Sequence, residues 1–184
     1  MSILAVLLIT VFLLVNGFPA MAKIGVFKFL LGTTWRPGND IYGILPMILG
    51  SLYVTAGALV LGVPIGLLTA VFLSRFASPR MVKLLKPAVQ LLAGIPSVVY
   101  GFFGLVVVVP LTTGRGSMLA ACIILGIMIL PTIISVSESS LNAVESSYYE
   151  GALALGATHE HAVFSVVLPA AKSGVLAAVI LGVG

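Results

Sequence analysis

Long apolar runs separated by short polar segments constrain this chain more than any other feature. Ser2 to Phe18 is apolar apart from Thr10 and Asn16; further runs cover Ile44 to Ser74, Ala88 to Pro110 and Met118 to Val136, and a partial one covers Pro169 to Gly184. Crossing a hydrocarbon core of roughly 30 Å takes about 20 apolar residues as a helix. The first four runs are therefore read as spans, and a chain of 184 residues has room for about five or six. Backbone polar groups inside a bilayer must be satisfied by the segment itself, so the predicted class is all-α, a polytopic transmembrane bundle in a lipid bilayer. Composition agrees: 60% of residues are hydrophobic and 8% charged, against about 25% charged in soluble domains. A water-soluble core of this size cannot hide so much apolar surface.

The formal charge is +4, but the nine basic residues are scattered among apolar runs and form no stripe, so nothing points to nucleic acid. Arg75, Arg80, Lys83 and Lys86 make the densest basic cluster, with no acid among them. By the positive-inside tendency this cluster faces the cytoplasm, which leaves Lys23, Lys28, Arg36 and Arg115 on the opposite side; density decides. The predicted organisation follows: a first span over residues 1–20, an extracytoplasmic loop over 21–43 with Trp35 at an interface, and a transmembrane domain over 44–184. A secretory signal ending at Ala20-Met21-Ala22 is the rival for the first span, but no basic residue precedes the apolar run. Leu111 to Ser117 reads as a turn-rich connector. Counting crossings puts residues 137–168 in the cytoplasm as a long polar segment. The unfinished last run marks the chain as a fragment, truncated at its C-terminus.

Chemistry-bearing groups are sparse. Cys122 is the sole cysteine and sits in an apolar run, where it reads as a small buried hydrophobe, and no disulfide or cysteine-rich metal site can form within the chain. His159-Glu160-His161 lacks the four-residue histidine spacing of a zinc-protease helix, so these histidines read as solvated or partner-facing. Ser137, Ser139, Ser140, Ser146 and Ser147 read as caps and turn formers, with no constellation to activate a nucleophile. No catalytic residue, metal or cofactor is expected. No Gly-x-x-x-x-Gly-Lys-Ser/Thr loop is present, so the chain is not read as an ATPase by that route.

The polar segment has its own grammar. Ser147 to Glu150 and Asn142 to Glu145 have capping-box spacing and predict helix starts. Gly156 permits the left-handed conformation that ends a helix, and Thr158 is placed to cap the next. Two short helices meeting at a bend follow, with Ala152, Leu153, Leu155, Ala162, Val163 and Phe164 as apolar sides suited to a groove in a partner.

Glu150-Gly151-Ala152, Gly156, Val166, Leu168 and Pro169 resemble the EAA loop of bacterial ABC importer permeases. Its pattern is Glu-Ala-Ala, three residues, Gly, nine residues, then Ile-x-Leu-Pro; here Gly151 replaces an Ala and Val166 the Ile. Thr34-Trp35-Arg36-Pro37, Tyr42 to Pro46 and Ala93-Gly94-Ile95-Pro96-Ser97-Val98-Val99-Tyr100-Gly101 are similar to the PstC branch of phosphate permeases. The sister PstA branch shares much of the last segment and the EAA loop, so only the region before the second run favours PstC. The resemblance implies import of inorganic phosphate across the bacterial cytoplasmic membrane. It also implies three partners: an ATP-binding cassette ATPase docking on the EAA loop, a PstA-like second permease, and an extracytoplasmic phosphate-binding protein. Pro96, Ser97 and Tyr100 are candidates for the translocation path, with helix breaking and packing as their alternative roles. An Arg and a Glu that the family carries in the span after the EAA loop fall beyond Gly184. The alternatives are a permease for another oxyanion and, outside transporters, a passive channel or scaffold.

Overall fold

The computed structural model describes residues 2–112 and 117–184; of the connector read as turn-rich, residues 113–116 lie outside the described residues. The chain divides into two compact units, Met1–Tyr53 and Val54–Gly184.

In the first unit, α1 (Ser2–Ile24) turns its apolar side chains outward, with Ile3 80% and Phe12 63% exposed. The two polar side chains in its middle, Thr10 and Asn16, are bonded within the helix. Thr10 Oγ1 donates to Val6 O and Asn16 Nδ2 to Phe12 O, both at 2.8 Å, which satisfies them one turn back on their own helix. Gly25, at φ +90, separates α1 from α2 (Val26–Leu31). The loop predicted next is ordered more than expected. The Pro37–Asn39 turn and left-handed Asp40 (φ 55) fold β1 (Trp35–Arg36) back on β2 (Ile41–Tyr42) as an antiparallel pair. Trp35 and Tyr42, opposite each other, meet edge to face at 5.7 Å.

The second unit takes in α3 (Leu45–Val71) from Val54 onward, and a wide π turn over Phe72–Phe76 extends it. There follow α4 (Pro79–Ala93), α5 (Ser97–Phe103) running through a π segment into α6 (Val109–Thr112), and α7 (Met118–Asn142). Then come α8 (Ser146–Ala154), α9 (His159–Ala162), a second π segment leading into α10 (Leu168–Ala170), and α11 (Lys172–Val183). The π segments Gly104–Val108 and Val163–Val167 each end just before a proline, Pro110 and Pro169. A proline lacks its N–H and its ring collides with the carbonyl four residues back, and a wider turn there relieves both problems.

Small residues set how the helices pack. On α3, Gly57 leaves room for the Cys122 thiol, a Cβ on Gly62 would lie 2.7 Å from Ile129 Cδ1, and one on Gly66 would lie 2.8 Å from Ile133 Cγ2. Residue numbers climb together on both helices, so α3 and α7 run the same way. On α11, Gly174 abuts Ser140 and Gly182 faces Ile133, so α11 runs antiparallel to α7.

Among the described residues, three helices are long and apolar enough to cross a membrane, Ile3–Ile24, Leu45–Phe76 and Met118–Asn142, and two bent pairs pass the same test together. Because α3 and α7 cross in the same direction, the chain between them has to cross back. Pro79–Ala93 and Ser97–Thr112, bent by 93°, therefore make one broken span. The break falls inside the run read from Ala88 to Pro110, at the Pro96 for which helix breaking was one of the roles offered: Pro96 and Gly94 interrupt the ladder, and α4 begins earlier, where Ser78 Oγ caps it by accepting from Met81 N–H.

The fourth span is also longer than read. It runs to Asn142, about 37 Å at 1.5 Å per residue, so Ser137, Ser139 and Ser140 are helical rather than turn residues. Ser140 Oγ donates to Val136 O, while Ser137 is fully buried and its Oγ has no partner among the described residues.

Candidate functional site

The segment between α7 and α11 folds into an elbow whose corner is made by local chemistry. Gly156 sits at φ +89; its N–H donates to Leu153 O at 2.9 Å and that of Ala157 to Ala152 O at 3.1 Å. This pair of bonds is the Schellman closure, which needs a residue at positive φ and so favours glycine. Thr158 then caps α9, its Oγ1 accepting from His161 N–H at 3.3 Å. The other expected caps are absent. α8 starts after Glu145, which makes no side-chain cap, and Asn142 closes α7 while accepting from Ser74 Oγ at 2.7 Å. Ser147 lies inside α8, two residues past the cap position.

Long-range contacts anchor the elbow to the spans. The His159 ring lies between two partners, with Nδ1 2.7 Å from the Tyr149 hydroxyl on α8 and Nε2 3.1 Å from the Arg75 carbonyl at the end of the α3 extension. A carbonyl only accepts, so Nε2 carries the hydrogen and, in the neutral ring, Nδ1 accepts from Tyr149. Phe76 packs edge to face on the same ring at 4.7 Å. Arg75 reaches the other way, donating from Nη2 to Leu141 O at 2.6 Å near the C-terminus of α7. Beneath these contacts Ala70, Val71, Leu141, Val163, Val167 and Ala171 form a buried cluster. The ends of α3 and α7 and the elbow are thus one packed assembly. The reading of His159 as solvated or partner-facing is corrected, because both its nitrogens are used inside the chain; His161 is exposed, with Nδ1 3.4 Å from Ser165 Oγ.

The motif residues divide by burial. Glu150, Gly151, Gly156 and Pro169 are exposed, while Ala152, Val166 and Leu168 are half-buried. A Cβ on Gly151 would meet nothing within 4 Å, so the alanine of the family pattern would fit there. Of the apolar sides offered to a partner, Leu153, Leu155 and Phe164 are exposed, Leu155 at 92%. Ala162 and Val163 are not available: both are fully buried, Val163 in the cluster under the elbow.

Pro96 and Ser97 stand exposed at the break in the third span. Tyr100 is instead buried, and its hydroxyl donates to Leu92 O at 2.8 Å, strapping α5 to α4 across the break. One functional candidate escaped the sequence reading. Glu138, placed there in a cytoplasmic loop, is 5% exposed on α7 and pairs with Lys86 Nζ of the basic cluster at 2.9 Å. A signal existed, because Ile134, Ser137, Glu138 and Leu141 continue the buried stripe of Ile129 and Ile133 at helical spacing. The Lys86 and Arg75 contacts bring the basic cluster to the same end of the bundle as the elbow.

The family model for the binding-protein-dependent transport system inner membrane component matches residues 62–184, covering α7 and the entire elbow. A probable ABC transporter permease protein, YqgH of Bacillus subtilis, is 41% identical over 184 aligned residues, covering 95% of this chain and 60% of its own length. A phosphate transport system permease protein of Haemophilus influenzae, PstC, is 33% identical over 99% of this chain and 65% of its own. PstC 2 of Mycobacterium tuberculosis is 32% identical over 99% of this chain and 64% of its own. The chain thus spans about three fifths to two thirds of the length of these relatives. With its apolar helices and the matched region running from the middle of α3 through the elbow to α11, the chain is an integral membrane protein and belongs to the ABC transporter permeases with a binding-protein-dependent inner membrane component.

Proposed function

We propose that this chain contributes the membrane-spanning part of a permease subunit that imports inorganic phosphate across the bacterial cytoplasmic membrane, driven by a separate ATPase docking on the elbow. The observation that carries the reading is the elbow itself. It offers Glu150, Leu153 and Leu155 outward while its second arm is rooted in the packing of α3, α7 and α11. Such a surface fits a groove in a partner and has a rigid path to the spans. The concentration of Arg75, Arg80, Lys83 and Lys86 at this end supports a cytoplasmic elbow. Phosphate as substrate is supported by the names of the PstC relatives; an ABC permease for another oxyanion is the second reading, left open by YqgH, whose name gives no substrate. The remaining partners are a second, PstA-like permease and a phosphate-binding protein outside the membrane.

The test is Glu150→Ala in the full-length chain co-expressed with the ATPase and partner permease of the same transporter. Loss of an exposed charge at the interface is expected to weaken ATPase retention by about 1–3 kcal/mol, roughly 5–150-fold, with membrane levels unchanged. Unchanged co-purification refutes this docking role. Uptake of radiolabelled inorganic phosphate against competing sulfate and molybdate decides between the two substrate readings.

A further inference from the structure

The elbow can transmit force only through groups that hold it to a span, and among the described residues His159 is the side chain that bonds both its arms and the end of α3. We propose that His159 is a positioning residue for coupling, locking α8 to the C-terminal end of α3 so that displacement of the elbow is delivered to that span. The proposal rests on the reading of the elbow as the ATPase-docking site. The geometry is specific. The last carbonyls of a helix have no donor of their own, and the Nε2–H of His159 supplies one to Arg75 O at 3.1 Å. The opposite nitrogen engages Tyr149 at 2.7 Å, one residue before Glu150, and Phe76 closes over the ring. From the same turn Ser74 and Arg75 hold Asn142 and Leu141 at the end of α7, so a push on His159 reaches two parallel spans together. Those spans touch at Gly57 and Cys122, and the thiol is buried in that contact, so N-ethylmaleimide reaches it only when the two spans part.

The experiment uses the full-length chain assembled with its ATPase and partner permease. It compares ATP-dependent alkylation of Cys122 by N-ethylmaleimide, ATPase co-purification and uptake of inorganic phosphate. His159→Leu removes both hydrogen bonds at similar bulk; His159→Gln keeps an N–H able to reach the Arg75 carbonyl. The expected result is that His159→Leu retains the ATPase but loses the ATP effect on Cys122, with uptake reduced roughly tenfold or more, within the range of typical coupling between sites. His159→Gln restores both. The proposal is overturned if His159→Leu keeps the ATP effect, if it loses ATPase binding or membrane level in step, or if His159→Gln behaves like His159→Leu. An unsubstituted complex whose Cys122 responds to ATP but which takes up no phosphate refutes only the substrate reading. An unsubstituted chain that retains no ATPase refutes the docking reading and this proposal with it.

Discussion

Removing one partner of the Lys86–Glu138 pair is predicted to be far more damaging on the lysine side than on the glutamate side. The charges are 2.9 Å apart, and the Lys86 side chain is 49% exposed while that of Glu138 is 7% exposed. At an effective dielectric near 20, their gross attraction is about 6 kcal/mol. Lys86→Ala strands a carboxylate against α7, and breaking a buried pair in this way costs about 3–5 kcal/mol. Glu138→Gln leaves an ammonium that is already half in water and can swing fully into it, at a cost of about 1 kcal/mol or less. The double variant Lys86→Ala with Glu138→Gln removes the stranded charge and should recover most of the loss. The assay is the thermal unfolding midpoint of the purified full-length permease in detergent. At about 2–4 °C per kcal/mol for a chain of this size, Lys86→Ala should lower it by about 6–20 °C, with the other two variants close to the parent. Equal damage from Lys86→Ala and Glu138→Gln, or no recovery in the double variant, would show that burial does not control the pair.

Three further perturbations follow from contacts described above. Gly156→Val forces a branched residue to φ +89, at about 1–2 kcal/mol or more; it should leave the chain in the membrane while ATP-dependent uptake falls, and normal uptake counts against the corner. Gly66→Val drives a side chain into Ile133, at about 1–3 kcal/mol, whereas Gly151→Ala enters open space within α8 and should stabilise by about 0.5–1 kcal/mol; thermal midpoints separate the two. Tyr100→Phe deletes the strap to Leu92 O, predicted to cost about 0.5–1.5 kcal/mol, and an unchanged midpoint would mean the broken span is held by packing alone.

What the sequence determined by itself was local. Hydropathy over about 20 residues marks a span wherever it lies, and the corner of the elbow rests on Gly156 and Thr158, whose cap bonds reach no more than five residues along the chain. The same local reasoning misplaced the caps at Asn142 and Ser147, because several Ser and Asn residues competed for one helix start and α7 ran on past Val136 to take the first of them. Tertiary structure decided the rest. The parallel course of α3 and α7, which makes the third apolar run a single broken crossing, is set by glycines that meet side chains more than 60 residues away. Glu138 reads as loop polarity until Lys86, 52 residues distant, gives it a reason to be buried. His159 reads as solvated until the carbonyl of Arg75, 84 residues distant, arrives beside it. A side chain's hydrogen-bonding capacity is written in its residue type, but the group that satisfies it is chosen by packing, and packing joins residues that no local pattern connects.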